Sequence, residues 1–160
     1  MNMLYTGLAV IVILLLTNMV LQGQSGDKKK IQKNIEAGRI FLAQNAEREG
    51  VIELPSGMQY EILVAGEGDR PASSDKVTTH YHGTLISGKV FDSSVERGMP
   101  ATFPVNAVIK GWQEALPMMP VGSKWRLYIP YNLAYGTRST GSIPGGATLI
   151  FEVELLGIQY

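Results

Sequence analysis

The stretch Val77-Thr78-Thr79-His80-Tyr81-His82-Gly83-Thr84-Leu85-Ile86-Ser87-Gly88-Lys89-Val90-Phe91-Asp92-Ser93 decides the fold. Val77, Thr79, Tyr81, Gly83 and Leu85 fall on one face of an extended chain, and Thr78, His80, His82 and Thr84 on the other. Ser87-Gly88 is a two-residue connection of the kind that closes a hairpin, so 89–93 returns beside the first strand. Tyr81 therefore points toward a core.

Outward from this hairpin the same period recurs. Residues 124–129 place Trp125, Leu127 and Ile129 together, and 148–158 set Leu149, Phe151, Val153 and Leu155 against Ile150, Glu152 and Glu154. Residues 58–64 read as a strand ended by Gly66-Glu67-Gly68-Asp69, and Leu54-Pro55-Ser56-Gly57 is a turn. Between them the period changes: Val108, Trp112, Ala115 and Leu116 share a helical face, and Pro117 stops that helix. The economical packing is one sheet around one short helix, an α+β domain over residues 53–160. The loop 132–146 is the longest unpatterned connection, and long loops in small domains tend to be functional.

Lysine plus arginine balance aspartate plus glutamate at 14 each, so no basic field exists to hold a phosphate backbone, and no nucleic-acid partner is expected. The absence of cysteine excludes disulfides, thiolate nucleophiles, cysteine metal sites and a bacterial lipid anchor on cysteine. The two histidines, His80 and His82, share a strand face opposite Tyr81 with no third ligand evident, so no metal is assigned.

Before the domain, residues 1–26 carry no charged side chain and 8–16 are almost wholly aliphatic. This is a signal peptide or an N-terminal membrane anchor, and cleaved and uncleaved forms both fit. Lys28, Lys29 and Lys30 follow it, which by a positive-inside count would hold the domain in the cytoplasm. The free α-amino group supplies some N-terminal charge and favours instead export to the cell envelope, periplasmic or anchored facing the periplasm. Residues 27–52 form a charged amphipathic segment, with Ile31, Ile35, Leu42 and Ala46 at helical spacing and Gly50 as the expected stop. It reads either as a solvated spacer or as a homodimer element through 27–50.

Five separated segments then carry a resemblance: His80-Tyr81-His82-Gly83; Gly88-Lys89-Val90-Phe91-Asp92-Ser93-Ser94; Val108-Ile109-Lys110-Gly111-Trp112; Tyr135-Gly136 with Ile143-Pro144; and Ala147-Thr148-Leu149-Ile150-Phe151-Glu152-Val153-Glu154-Leu155-Leu156. In this order and spacing they resemble the FKBP-type peptidyl-prolyl isomerases. The stretch before residue 58 resembles the secreted, macrophage infectivity potentiator-like branch. The resemblance implies an antiparallel, strongly bent sheet wrapped around one short helix. It also implies a proline pocket with Trp112 as floor, Tyr81, Phe91, Val108, Ile109, Tyr135 and Phe151 as walls, and Ile143 at the rim. Asp92 would be its polar group, and the Ile109 backbone N–H and Tyr135 hydroxyl would be donors to the bound chain. Implied partners are proline-containing unfolded or nascent polypeptides and macrolide immunosuppressant-type ligands. One position departs: Ala101 stands where the family often has an aromatic, and Phe103 reads as core.

These residue types suit the chemistry. X-Pro rotation breaks amide conjugation at a barrier of roughly 18–20 kcal/mol without making or cleaving a covalent bond, so no cofactor, nucleophile or metal is required. An apolar site that removes water from the carbonyl favours the twisted amide. Asp92 has two readings: it orders the pocket through Tyr81 or Arg97, or its charge acts on the twisting amide. In the functional assignment Asp92, Tyr81 and Tyr135 are the catalytic set. The alternative function is a holdase-type chaperone or proline-segment binding module with little turnover.

Overall fold

The computed structural model describes residues 5–159, with side chains from residue 23 onward. A long helix, α1 (Tyr5–Ala46), leads into the strands β1 (Val51–Glu53), β2 (Gln59–Val64), β3 (Lys76–Leu85), β4 (Val90–Ser93) and β5 (Ala101–Pro104). The short helix α2 (Lys110–Ala115) follows, then β6 (Lys124–Ile129) and β7 (Leu149–Gln159). Every strand pairing is antiparallel, in the order β1-β2-β6-β7-β3-β4 with β5 also on β3. The sheet wraps around α2, as the alternation and the resemblance imply.

Alternation explains which face is covered. Val77, Leu127, Ile129, Leu149, Val153 and Leu155 are fully buried with Trp112, Ala115 and Leu116 against them. Each such aliphatic side chain contributes roughly 1.5–3 kcal/mol by leaving water. The curvature has a local origin in pairing shifts at 62/64, 78/79 and 83/84, since an extra residue in one strand bends it and raises its twist. Opposite the core, Lys124 and Arg126 pair with Glu152, and Arg126 also reaches Glu61.

Several expectations are revised. β1 and β5 are strands of three and four residues, too short for an alternation to mark them in the sequence. α2 begins at Lys110, and Pro117 lies within a following 3₁₀ turn, Leu116–Met118, instead of ending the helix outright. From Tyr5 the two N-terminal segments run on as one uninterrupted helix that ends at Ala46, and Gly50 (φ +85°) serves the turn into β1.

The segment 27–50 is not a solvated spacer. Ile31, Asn34, Ile35, Gly38, Phe41, Leu42 and Asn45 form its covered stripe, turned onto the chain's own sheet and loops. Asn45 Nδ2 donates to Gln59 Oε1 at 2.8 Å, Gln59 Nε2 donates to the Leu42 carbonyl at 2.8 Å, and Arg48 Nη1 donates to the Tyr128 hydroxyl at 2.9 Å. The apolar run 3–21, expected as signal or anchor, lies outside the residues whose side chains are described. Among the residues whose side chains are described, 23 onward, no helix is long and apolar enough to cross a membrane.

Candidate active site

The residues singled out in the sequence converge on one cavity of about 500 Å³. β3 and β4 bring Tyr81, Phe91 and Asp92 to one side of it; β7 brings Phe151; the turn into α2 brings Val108, Ile109 and Trp112. Tyr135 and Ile143 reach it from the long loop. Sequence reasoning missed Phe103, Ala107 and the loop tip Thr140-Gly141-Ser142, which also line the cavity. The signal for Phe103 was available, because Ala101 and Phe103 are two apart on a strand and so share a face.

Trp112 and Phe151 are only 4% and 5% exposed, which makes them the floor. Their rings meet nearly perpendicular, with centroids 5.1 Å apart, and Trp112 meets Tyr81 in the same way at 5.5 Å. Phe91 stands edge-on to Phe151 at 5.3 Å, and Phe103 lies 5.4 Å from Trp112. Edge-to-face contacts match the positive rim of one ring to the negative face of the next and add about 0.5–1.5 kcal/mol per pair beyond area burial. Gly83 permits this cluster: a Cβ there would stand 2.6 Å from Phe91 Cζ and 2.8 Å from Phe151 Cε1. Trp112 Nε1 is buried with no hydrogen-bond acceptor among the described residues.

One edge of the apolar cup is polar. Tyr81 donates its hydroxyl proton to Asp92 Oδ2 at 2.6 Å, and Arg97 Nη2 donates to the same hydroxyl at 2.9 Å. Arg97 also pairs with Asp92 Oδ1 and lies 5.7 Å from the Tyr81 ring centroid. Burial alone would push the Asp92 carboxyl up, but the hydrogen bonds from Tyr81 and Arg97 outweigh it and hold the group below the ordinary carboxylate range. Burial, and then the bond to Asp92, push the Tyr81 phenol up. At neutral pH the edge therefore presents a fixed carboxylate, a neutral phenol and a guanidinium.

Ile109 precedes α2 with extended geometry, and its carbonyl accepts from Trp112 N and Gln113 N at 3.0 and 3.1 Å. Its own N–H belongs to the first turn, where backbone donors have no intrahelical acceptor. His80 and His82 bond to Ser94 and Ser93, each at 2.9 Å, outside the cavity. No cluster of three metal-ligating side chains occurs among the described residues.

A bent antiparallel sheet closed over a short helix carries an aromatic cup at its mouth and one buttressed carboxylate, a cavity whose size and apolar lining suit a compact apolar ring. Residues 68–156 match the family of FKBP-type peptidyl-prolyl cis-trans isomerases, and 14–62 match the domain amino terminal to it. The chain belongs to this family. It is 55% identical over 132 residues to the FKBP-type 22 kDa peptidyl-prolyl cis-trans isomerase of Escherichia coli (strain K12), covering 82% of this chain and 64% of that protein. It is 49% identical over 132 residues to the outer membrane protein MIP of Legionella longbeachae, covering 82% and 57% respectively. The chain thus spans somewhat under two thirds of the length of these relatives. The crystal structure of FkpA from Escherichia coli superposes with a TM-score of 0.90 at 34% identity, covering 99% of this chain and 74% of that one. AtFKBP13 superposes with a TM-score of 0.64 at 38% identity over 68% of this chain.

Proposed function

We propose that the chain is a peptidyl-prolyl cis/trans isomerase that accelerates X-Pro rotation during the folding of exported or envelope proteins. The observation that carries this is the cavity with Trp112 and Phe151 as floor and the Tyr81–Asp92–Arg97 group along one edge. A pyrrolidine ring seated on Trp112 loses its water, and the amide carbonyl before it enters apolar surroundings. The planar amide is the more polar form, so desolvation weighs against it and favours the twisted one. Phe91, Phe103 and Val108 hold the ring by contact, and the Ile109 N–H and the Tyr135 hydroxyl serve as donors to the flanking carbonyls. Asp92 orders the edge through Tyr81, and no proton changes hands. Trp112, Phe91, Val108, Ile109, Phe151 and Ile143 are the binding residues, with Asp92, Tyr81 and Tyr135 the catalytic ones. Macrolide immunosuppressant-type ligands suit the same apolar cup.

A protease-coupled assay on a short X-Pro peptide tests this. Acceleration over solvent, lost in Trp112→Leu, supports it. Suppression of aggregation with no acceleration would transfer the reading to a holdase or proline-segment binder.

The apolar run 3–21 supports export, as signal or anchor, and placement in the envelope; a relative is named an outer membrane protein. Self-association is proposed through α1 as well. Its stripe at 31–45 is covered by the chain's own domain, so a second copy would meet the helix on other faces or nearer its start, and sedimentation of the full chain tests this.

A further inference from the structure

The loop 132–146 has two sides. Its front carries Tyr135, the tip Thr140-Gly141-Ser142 and Ile143 into the cavity. Its back is the pair Gly145-Gly146, and both are buried although neither has a side chain to bury. α1 covers Gly146, while Gly145 is enclosed between the Thr137 carbonyl of the loop itself and Ile31 of α1. Asn34 Nδ2 donates to the Gly145 carbonyl at 2.8 Å. A Cβ on Gly146 would stand 2.7 Å from the Ile31 carbonyl oxygen and 2.9 Å from Ile35 Cγ1. One turn further along, a Cβ on Gly38 would stand 2.2 Å from Thr148 Oγ1, so the helix is seated as closely as its backbone allows.

The same glycine pair is tied forward to the pocket residues. Gly146 N donates to the Gly136 carbonyl at 2.8 Å, next to Tyr135, and Gly145 N donates to Ser139 Oγ at 3.2 Å, next to the tip. Thr140 and Ile143 exchange backbone hydrogen bonds at 2.9 Å, which closes the tip on itself. Glycine gives the back of the loop no side chain to pack and the widest conformational freedom, so beyond the loop's own contacts at Gly136, Thr137 and Ser139 its position depends on the surface behind it. That surface belongs to the helix.

We infer that α1 positions the binding loop: Asn34 and Gly38 seat the helix behind Gly145-Gly146 and thereby set where Tyr135 and Ile143 stand over the proline site. This inference rests on the isomerase reading. Asn34 and Gly38 are positioning residues, remote from substrate, and lifting the helix lets the loop move away from the floor at Trp112. Ground-state binding then weakens more than turnover.

The test uses the full chain in five forms: parent, Asn34→Leu, Gly38→Ala, Gly38→Ala with Thr148→Ala, and Arg39→Ala on the exposed helix face. Alanine is favourable within a helix, so Gly38→Ala leaves α1 formed and alters only its seat. KM and kcat are measured on an X-Pro peptide, and amide exchange is followed at Thr140, Ile143 and Gly146, with β6 and β7 as internal references. Asn34→Leu and Gly38→Ala are expected to raise KM about two- to tenfold, the equivalent of one hydrogen bond, with kcat within about twofold. Exchange should rise in the loop and stay constant in β6 and β7. Removing Thr148 Oγ1 should restore both readouts in the Gly38→Ala background, and Arg39→Ala should match the parent. Unchanged KM and loop exchange in both single variants would overturn the inference, as would faster exchange spread evenly over loop and sheet. A parent with no isomerase activity would sink the functional reading alone, because the exchange measurements still decide whether α1 holds the loop.

Discussion

Replacing Tyr81 by Phe removes one oxygen and leaves the ring in place against Trp112 and Phe151. The lost hydroxyl donates to Asp92 at 2.6 Å, between groups that are only partly covered. A hydrogen bond to a carboxylate contributes about 1.5–3 kcal/mol when shielded, and exposure reduces this to about 1 kcal/mol. The sign of the pH dependence follows from Asp92, whose folded-state carboxyl is held below its ordinary value. Such a group stabilises the fold fully above the unfolded carboxylate range, near pH 4, and the contribution is lost as pH falls through the depressed folded value. In Tyr81→Phe one of the two side-chain donors that depress it is gone, so the deficit against the parent should be constant from pH 7 to about 5 and shrink below 4. Urea denaturation at a series of pH values measures it. A deficit that does not change down to pH 3, or none at pH 7, would refute the account in which Tyr81 and Asp92 act as a pair. Isomerase kcat/KM should fall in the same variant at pH 7 if the ordered carboxylate shapes the site.

Gly83→Ala should destabilise by about 1–3 kcal/mol, since its Cβ would overlap the Phe91 and Phe151 rings, and the loss is read from the urea midpoint. Phe103→Ala should lower kcat/KM by about tenfold or more through loss of a ring beside Trp112, a residue whose place in the site came from the structure; a change under twofold would return Phe103 to a core role. Ala101→Phe adds an aromatic on the face that Phe103 occupies, and a panel of peptides varied before proline should show a changed preference. Mass measurement of the N-terminus after fractionation should find an exported or membrane-retained chain, and a full-length soluble cytoplasmic chain would contradict the envelope placement.

The sequence revealed those parts of the fold that repeat. β3, β6 and β7 alternate over six or more residues, long enough for the period to stand out. β1 has three residues and β5 has four, ending at Pro104, which reads as a breaker. β5 tolerates that proline because it pairs on one side only, with β3. Most of the candidate site was legible because its residues sit in separated motifs whose order is itself a signal. Phe103 was legible only in part: its spacing puts it on one face with Ala101, but an aromatic in a short strand looks the same whether that face meets a core or a cavity. The seating of α1 was hidden for a related reason: an apolar helical stripe does not say what it meets. Gly38, a residue without a side chain in the middle of that stripe, was the one mark of a close neighbour.

The sheet order has a consequence for how the chain comes into being. β7 lies between β3 and β6 and is paired along most of its length on both sides, yet it follows every other strand in the sequence. Until residues 149–159 have left the ribosome, β3 and β6 each present a bare edge, and the floor at Phe151 does not exist. Growth of the chain therefore brings the domain no partial sheet with a usable site, and its assembly waits on contacts far apart in sequence. During that interval the two open edges are where a neighbouring nascent chain could add itself.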